Sequence, residues 1–574
     1  MAVLLLCVIW RNRYEVIFSV YGFFQSPAKP KLTEIQSDRI VLEYAPSDYL
    51  TKTKIQSIQK ILTQRLESAE KEIGIKFSSR INVYLLNNWE QMGIMTKHVP
   101  LAQIDPDSNT LYYIVNKKMD GTNERLEYSL LFHEKFGKPA LPDGDEIIAA
   151  ALGGMWNQKT LNDWEQFLRA RGLNPQFPLF LTDNHLISPY ITKPWNAILS
   201  RFIKEKFGWS ALFNLYKTAQ LPAGYQNQWN AYLNQLPRPD QLPEYHFERQ
   251  FQKGISYAYA NGYDSGYPTQ KSQKSLDILK DDGVGWIAAI PYGFMPEENA
   301  PVIGFARSSI FTESDEGVFA VVDDARAREM KVMLKPQIWV RGSWTGNIQF
   351  QSDASWDRWF HCYENWIIHY AIIAELTKID LFCIGTELVE TTLQKPDDWK
   401  RLILKIRNVY HGPIVYASNW GKEFEQIAFW SELDYIGLDN YYPVRDVATQ
   451  DSSLARKAFE KQKEKIREVA MRLQKPVVFT EIGFVATDGA GMGPRESDYP
   501  SYNEQVQAEY YRLTFETYWN EPWFCGMYWW KWFSDPDDRG RNADRHSPSG
   551  RPAELVMKEW YQKETTCCRS HTIQ

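Results

Sequence analysis

Between residues 250 and 561 the chain alternates, eight times over, a short and nearly uninterrupted apolar run with a longer amphipathic stretch. The runs are rich in Ile, Val, Tyr and Trp and fall at 254–259, 286–291, 331–339, 381–387, 413–418, 433–440, 476–482 and 525–530. Apolar residues three and four apart predict helices between them, among them 272–280, 356–377, 397–410, 454–473 and 504–519, with a last one over 553–561. Strands with no polar face need cover on both sides, as in a parallel sheet flanked by helices. Eight such strands, each followed by a helix, predict an α/β fold, a (β/α)8 barrel.

The remainder of the chain reads differently. Residues 31–235 show helical spacing at 52–73, 126–136, 146–156 and 195–207, and strand alternation at 81–86 and 111–115, so an α+β, mostly helical domain is expected. Residues 236–249 read as a linker, because Pro237, Pro239 and Pro243 suit neither a helix interior nor a central strand. Residues 562–574 form a polar tail, and residues 1–30 a leader with two apolar runs. The leader reads as an export signal, which favours a periplasmic, surface or secreted protein; the alternative is the first amphipathic element of a cytoplasmic one. Neither run has the roughly 18 apolar residues of a spanning helix, so no membrane span is expected. The formal charge of −6 over 574 residues gives no basic face, and no nucleic-acid partner is expected. The six cysteines have no framework spacing and read as small free hydrophobes, Cys383 and Cys525 inside buried strands. No metal or cofactor is called for, and the oligomeric state is left open.

In a (β/α)8 barrel the chemistry sits at the C-terminal ends of the strands. The fourth strand ends on Glu387 and the seventh on Glu481, three βα units of about thirty residues apart, which places them across the mouth from one another. A lone glutamate there is often one half of a structural ion pair; two on those strands form a candidate catalytic pair. Such carboxyls can bracket a glycosidic bond, about 5–5.5 Å apart for a retaining double displacement or about 6.5–9.5 Å for inversion. One must stay protonated to assist the leaving group, and the other ionised to attack. Around them lie candidate substrate-binding residues: Lys335 and Trp339 on the third strand, Asn419 and Trp420 after the fifth, Asp439, Tyr441 and Tyr442 at the sixth, and Trp529, Trp530 and Trp532 on the eighth. Tyr441 or Tyr442 would hold the nucleophile, and the tryptophans of the eighth strand would stack on a sugar ring.

Ile384-Gly385-Thr386-Glu387-Leu388 and Thr480-Glu481-Ile482-Gly483-Phe484 resemble the strand motifs of the glycoside hydrolase family 113 barrels. Lys253-Gly254-Ile255-Ser256, Asp434-Tyr435-Ile436-Gly437 and Ser547-Pro548-Ser549-Gly550-Arg551-Pro552 fit the same pattern in order. The resemblance implies retaining hydrolysis of β-1,4-linked mannan or manno-oligosaccharides, with Glu387 as acid/base, Glu481 as nucleophile and a β-linked oligo- or polysaccharide as partner. Two positions depart from the clan: Thr386 stands where many members have Asn, and Gln337 where a more polar or ionisable residue is usual. The alternatives are another clan A β-glycosidase or transglycosidase acting on gluco- or galacto-configured chains, and a non-catalytic carbohydrate-binding barrel. Leu131-Phe132-His133-Glu134-Lys135-Phe136-Gly137 resembles the zinc-peptidase helix of gluzincins, but Gly137 stands where the second histidine is needed, so a degenerate peptidase-like domain is expected.

The chain holds 22 Trp. Those at strand ends are expected at the barrel mouth, and Trp356, Trp359 and Trp366, at helical spacing, in the core.

Overall fold

A computed structural model describes residues 28–175, 187–239, 247–259, 265–304, 313–445 and 452–565. The leader through residue 27, the linker residues 240–246 and the tail from 566 lie outside them. The chain divides into two compact units, one within residues 27–243 and the other from residue 244 onward.

The second unit is a closed barrel of eight parallel strands in sequential order. They are β1 (Gln252–Ala258), β2 (Trp286–Ala289), β3 (Lys331–Leu334), β4 (Leu381–Thr386), β5 (Ile414–Asn419), β6 (Ile436–Asp439), β7 (Val477–Ile482) and β8 (Phe524–Phe533). The run at 331–339 is broken at Lys335-Pro336: its second half, Gln337–Val340, leaves the barrel and pairs in parallel with Tyr292–Met295 above β2. The interior is filled by side chains including Ala288, Met333, Leu381, Cys383, Val415, Val478 and Tyr528. Gly254 admits the Tyr528 ring, which a Cβ there would meet at 2.5 Å.

Its helices include α1 (Gln270–Asp281), α2 (Asp315–Ala327), α3 (Asp353–Thr377), α4 (Pro396–Val409), α5 (Lys422–Gln426), α6 (Ser452–Leu473), α7 (Glu504–Tyr518) and α8 (Pro552–Tyr561). Ser352 caps α3 by accepting a hydrogen bond from the Ser355 N–H, and Trp356, Trp359 and Trp366 are buried along it. Helix α2 has no counterpart among the sequence-read helices; Gly317 and three valines weaken its local propensity, and burial against the barrel supplies its stability.

The first unit is mixed. A five-stranded sheet runs in the order Thr33–Gln36, Ile40–Tyr44, Ile81–Leu86, Thr110–Ile114, Ala102–Asp105, of which sequence alternation marks only Ile81–Leu86 and Thr110–Ile114, two of the three inner strands. Its helices include Lys52–Ile73, Glu127–Phe136, Gly144–Gly153 and Pro189–Phe207. The peptidase resemblance is not borne out: the helix ends at Phe136, His133 faces Asp145 at 3.7 Å, and Glu134 accepts a hydrogen bond from Ser78 at 2.6 Å. Among the described residues no helix is long and apolar enough to cross a membrane.

Two sequence expectations change here. Cys383 is a free, buried thiol, as expected, whereas Cys525 is disulfide-bonded. Trp529 and Trp532 do not open to the mouth. Trp529 is fully buried and stacks on Tyr511 of α7 with ring centroids 3.6 Å apart. Trp532 is buried, its indole donating to Ser275 of α1 at 2.8 Å. Both hold the barrel to its helices. Trp529→Ala should therefore destabilise the barrel by about 3–5 kcal/mol, read as a lower urea midpoint.

Candidate active site

Both candidate glutamates follow a β-bulge. Cys383 pairs with Val415 and Thr386 with Ala417, so β4 carries one extra residue before Glu387. Leu438 pairs with Phe479 and Asp439 with Glu481, so β7 carries one at Thr480. Bulges re-aim side chains at strand ends.

Three donors converge on Glu481. The Lys335 ammonium donates to Oε1, as does the Gln337 amide at 2.7 Å, and the Tyr441 hydroxyl donates to Oε2 at 3.1 Å. Donors of this kind favour a charged carboxylate. Lys335 also lies 3.7 Å from Asp439 Oδ2, while Asp439 Oδ1 accepts from Thr480 at 2.7 Å. Lys335 and Asp439 are completely buried. They are thus closed to solvent and form the floor of the site, whereas the sequence expectation placed both in the open cleft. Burial draws the Lys335 ammonium's pKa down, but Asp439 and Glu481 outweigh it and hold the group above its ordinary value. Asp439 is pushed well above the carboxylate range by burial and by the Glu481 charge.

Glu387 has different surroundings. Burial, then the negative charge of Glu481, push its carboxyl up to about 7; a hydrogen bond from Trp344 and the Lys335 charge oppose the shift without cancelling it. The Trp344 indole donates to Oε2 at 2.8 Å. A proton held near neutrality on one carboxyl, beside a second that receives three donors, is the division that general acid and nucleophile require.

The remaining sequence-read residues divide by exposure. Trp339 is 42% exposed on the strand rising above β3. Asn419, Trp420, Tyr441, Tyr442 and Trp530 are half-buried. The Trp420 and Tyr442 rings lie 5.2 Å apart, and the Tyr442 hydroxyl accepts from the Gly421 N–H at 3.0 Å, so Tyr441 alone of the two tyrosines serves Glu481. Lys531 lies 5.3 Å over the Trp530 ring.

Two neighbours lie outside the candidate site residues of the sequence: Gln337, marked there only as a departure from the clan, and Trp344. Gln337 follows Lys335 by two residues, and that spacing was the available signal that both face one way. Trp344 lies in a Gly-Ser-Trp-Thr-Gly loop with no periodicity to mark it. In the motif before α8, Arg551 is buried and donates to the carbonyls of Gly540, Ala543, Asp544 and Arg545 at 2.9–3.1 Å, which orders the loop over β8.

Residues 255–547, just over half of the chain, match Glycoside Hydrolase Family 113. Among solved structures, the GH113 β-mannanase of Alicyclobacillus acidocaldarius in complex with ManMIm is 26% identical, with a TM-score of 0.48, over 54% of this chain and 97% of that one. Two GH113 β-1,4-mannanase structures, one a complex, are 27% and 28% identical, with TM-scores of 0.49 and 0.48, over 55% of this chain and 100% of theirs. No curated protein matches the chain.

Replacing Glu481 by Gln removes the charge that helps raise Glu387. The Glu387 titration midpoint should then fall below about 7, measured by difference infrared spectroscopy of the carboxyl stretch against Glu387→Gln. A midpoint that stays put would show that burial alone sets it.

Proposed function

The chain belongs to glycoside hydrolase family 113, and from that premise we propose that it cleaves β-1,4-linked mannan or manno-oligosaccharides, within the chain, by a retaining double displacement. The observation that carries this reading is the unequal treatment of the two glutamates: Glu481 receives Lys335, Gln337 and Tyr441, while Glu387 is pushed up to about 7. Glu387 donates its proton to the glycosidic oxygen as that oxygen's bond to the anomeric carbon breaks. Glu481 attacks the same carbon from the opposite face. Its Oε1 already accepts two donors and Oε2 one, so Oε2 keeps the freer lone pair for attack. The ionised Glu387 then takes a proton from water, which displaces Glu481 and restores both groups with net retention.

Half-buried Trp420 and Trp530 and exposed Trp339 and Trp344 offer apolar faces for sugar rings around that centre. The mannan reading rests on family membership.

An NMR time course should show the β-anomer first, and an α-anomer first would contradict the double displacement. On a panel of mannan, glucomannan, xylan and cellulose, mannan should give the fastest release of oligosaccharides. Glu481→Ala should reduce turnover by at least about 10⁴-fold while binding survives; residual turnover near wild type would remove Glu481 from the nucleophile role.

A further inference from the structure

Glu387 has a φ of +51°, a left-handed conformation that side-chain-bearing residues seldom adopt without support from their surroundings. The support is visible on both sides of it. The Glu387 N–H donates to the Ala417 carbonyl at 2.8 Å, and the next N–H, of Leu388, donates to the Tyr416 hydroxyl at 2.7 Å. That hydroxyl in turn donates to Glu423 Oε1 at 2.7 Å. Glu423, on the short helix α5, is 1% exposed. Its other bonds reach two further segments: Thr392, from the short helix Val389–Gln394 that follows Glu387, donates to Oε1 at 2.7 Å, and the Asn419 N–H donates to Oε2 at 2.6 Å.

A carboxyl buried this deeply is costly, and among the described residues no lysine or arginine forms an ion pair with it. Burial pushes it up to about 8 against its three donors, with Glu387 adding to the rise, so the two glutamates feel one another. The Glu423 side chain thus ties the end of β5, the chain just after Glu387 and Tyr416 into one knot behind Glu387. Gly385 makes room for the knot: a Cβ there would meet the Tyr416 ring at 2.8 Å and the Tyr363 hydroxyl at 2.9 Å.

We propose that Glu423 and Tyr416 are positioning residues that hold Glu387 in its left-handed conformation and so aim its carboxyl at the leaving-group oxygen. Neither touches substrate. The inference rests on the acid/base assignment of Glu387, and its test is built to separate the two.

Tyr416→Phe and Glu423→Gln would be compared with Glu387→Gln on two substrates, mannopentaose and 2,4-dinitrophenyl β-mannobioside. The dinitrophenolate departs without a proton, so kcat/KM for it does not depend on an aimed acid. Each positioning variant should lower kcat/KM for mannopentaose about 10- to 100-fold and change it for the aryl glycoside by less than about threefold. Glu387→Gln should show the same split more strongly. Equal losses on both substrates, or no loss on either in a variant with native near-ultraviolet circular dichroism, would overturn the positioning role. Should one variant fail to fold, the other decides. A Glu387→Gln enzyme with no split would defeat the acid assignment, and this inference would fall with it.

Discussion

One buried ammonium organises the site. Lys335 lies at the centre of the barrel with Asp439 and Glu481 against it, and its charge is also felt at Glu387. Buried ions are tolerated only when paired and hydrogen-bonded. Here one cation faces three carboxyl groups, so full ionisation of all three would leave the interior strongly negative. The repulsion shows in both neighbours: burial and the Glu481 charge push Asp439 well above its ordinary value and Glu387 up to about 7. Glu481 has the closest contact with the ammonium, and Gln337 and Tyr441 add neutral donors. The proposed roles of acid and nucleophile thus rest on charge balance around Lys335 as much as on strand position.

The barrel makes that balance possible by bringing β3, β6 and β7 to one point. The bulges before Glu387 and at Thr480 then turn the two glutamates relative to the ladders that carry them. Behind β4 a second set of hydrogen bonds, through Tyr416 and Glu423, fixes the backbone of Glu387. The site is held from below by ions and from behind by neutral polar groups.

Much of this was legible beforehand, for physical reasons. Strands covered on both faces must be apolar throughout, so the eight runs stand out, and a carboxylate ending such a run is conspicuous. Depth was not legible. Lys335 and Asp439 look like cleft residues in sequence, yet they sit beneath the cleft because the strand breaks at Pro336 and β6 ends at Asp439. The eighth strand misled in another way. Alternation sends Tyr528 inward and Trp529 out to α7, but a register irregularity between Trp529 and Trp532 upsets the count and turns Trp532 toward α1. The tryptophan-rich end therefore serves mainly as packing, and Trp344, in a loop without periodicity, takes a place beside Glu387 instead.

The proposed double displacement requires Glu481 to attack the anomeric carbon. Incubation with a 2-deoxy-2-fluoro-mannosyl fluoride, which slows release of a covalent intermediate, followed by peptide mass spectrometry, tests it directly. A covalent intermediate on Glu481 should give a single fluorosugar ester on the peptide that contains it, absent from Glu481→Gln. An ester on another carboxylate, or free sugar of inverted configuration with no ester at all, would contradict it.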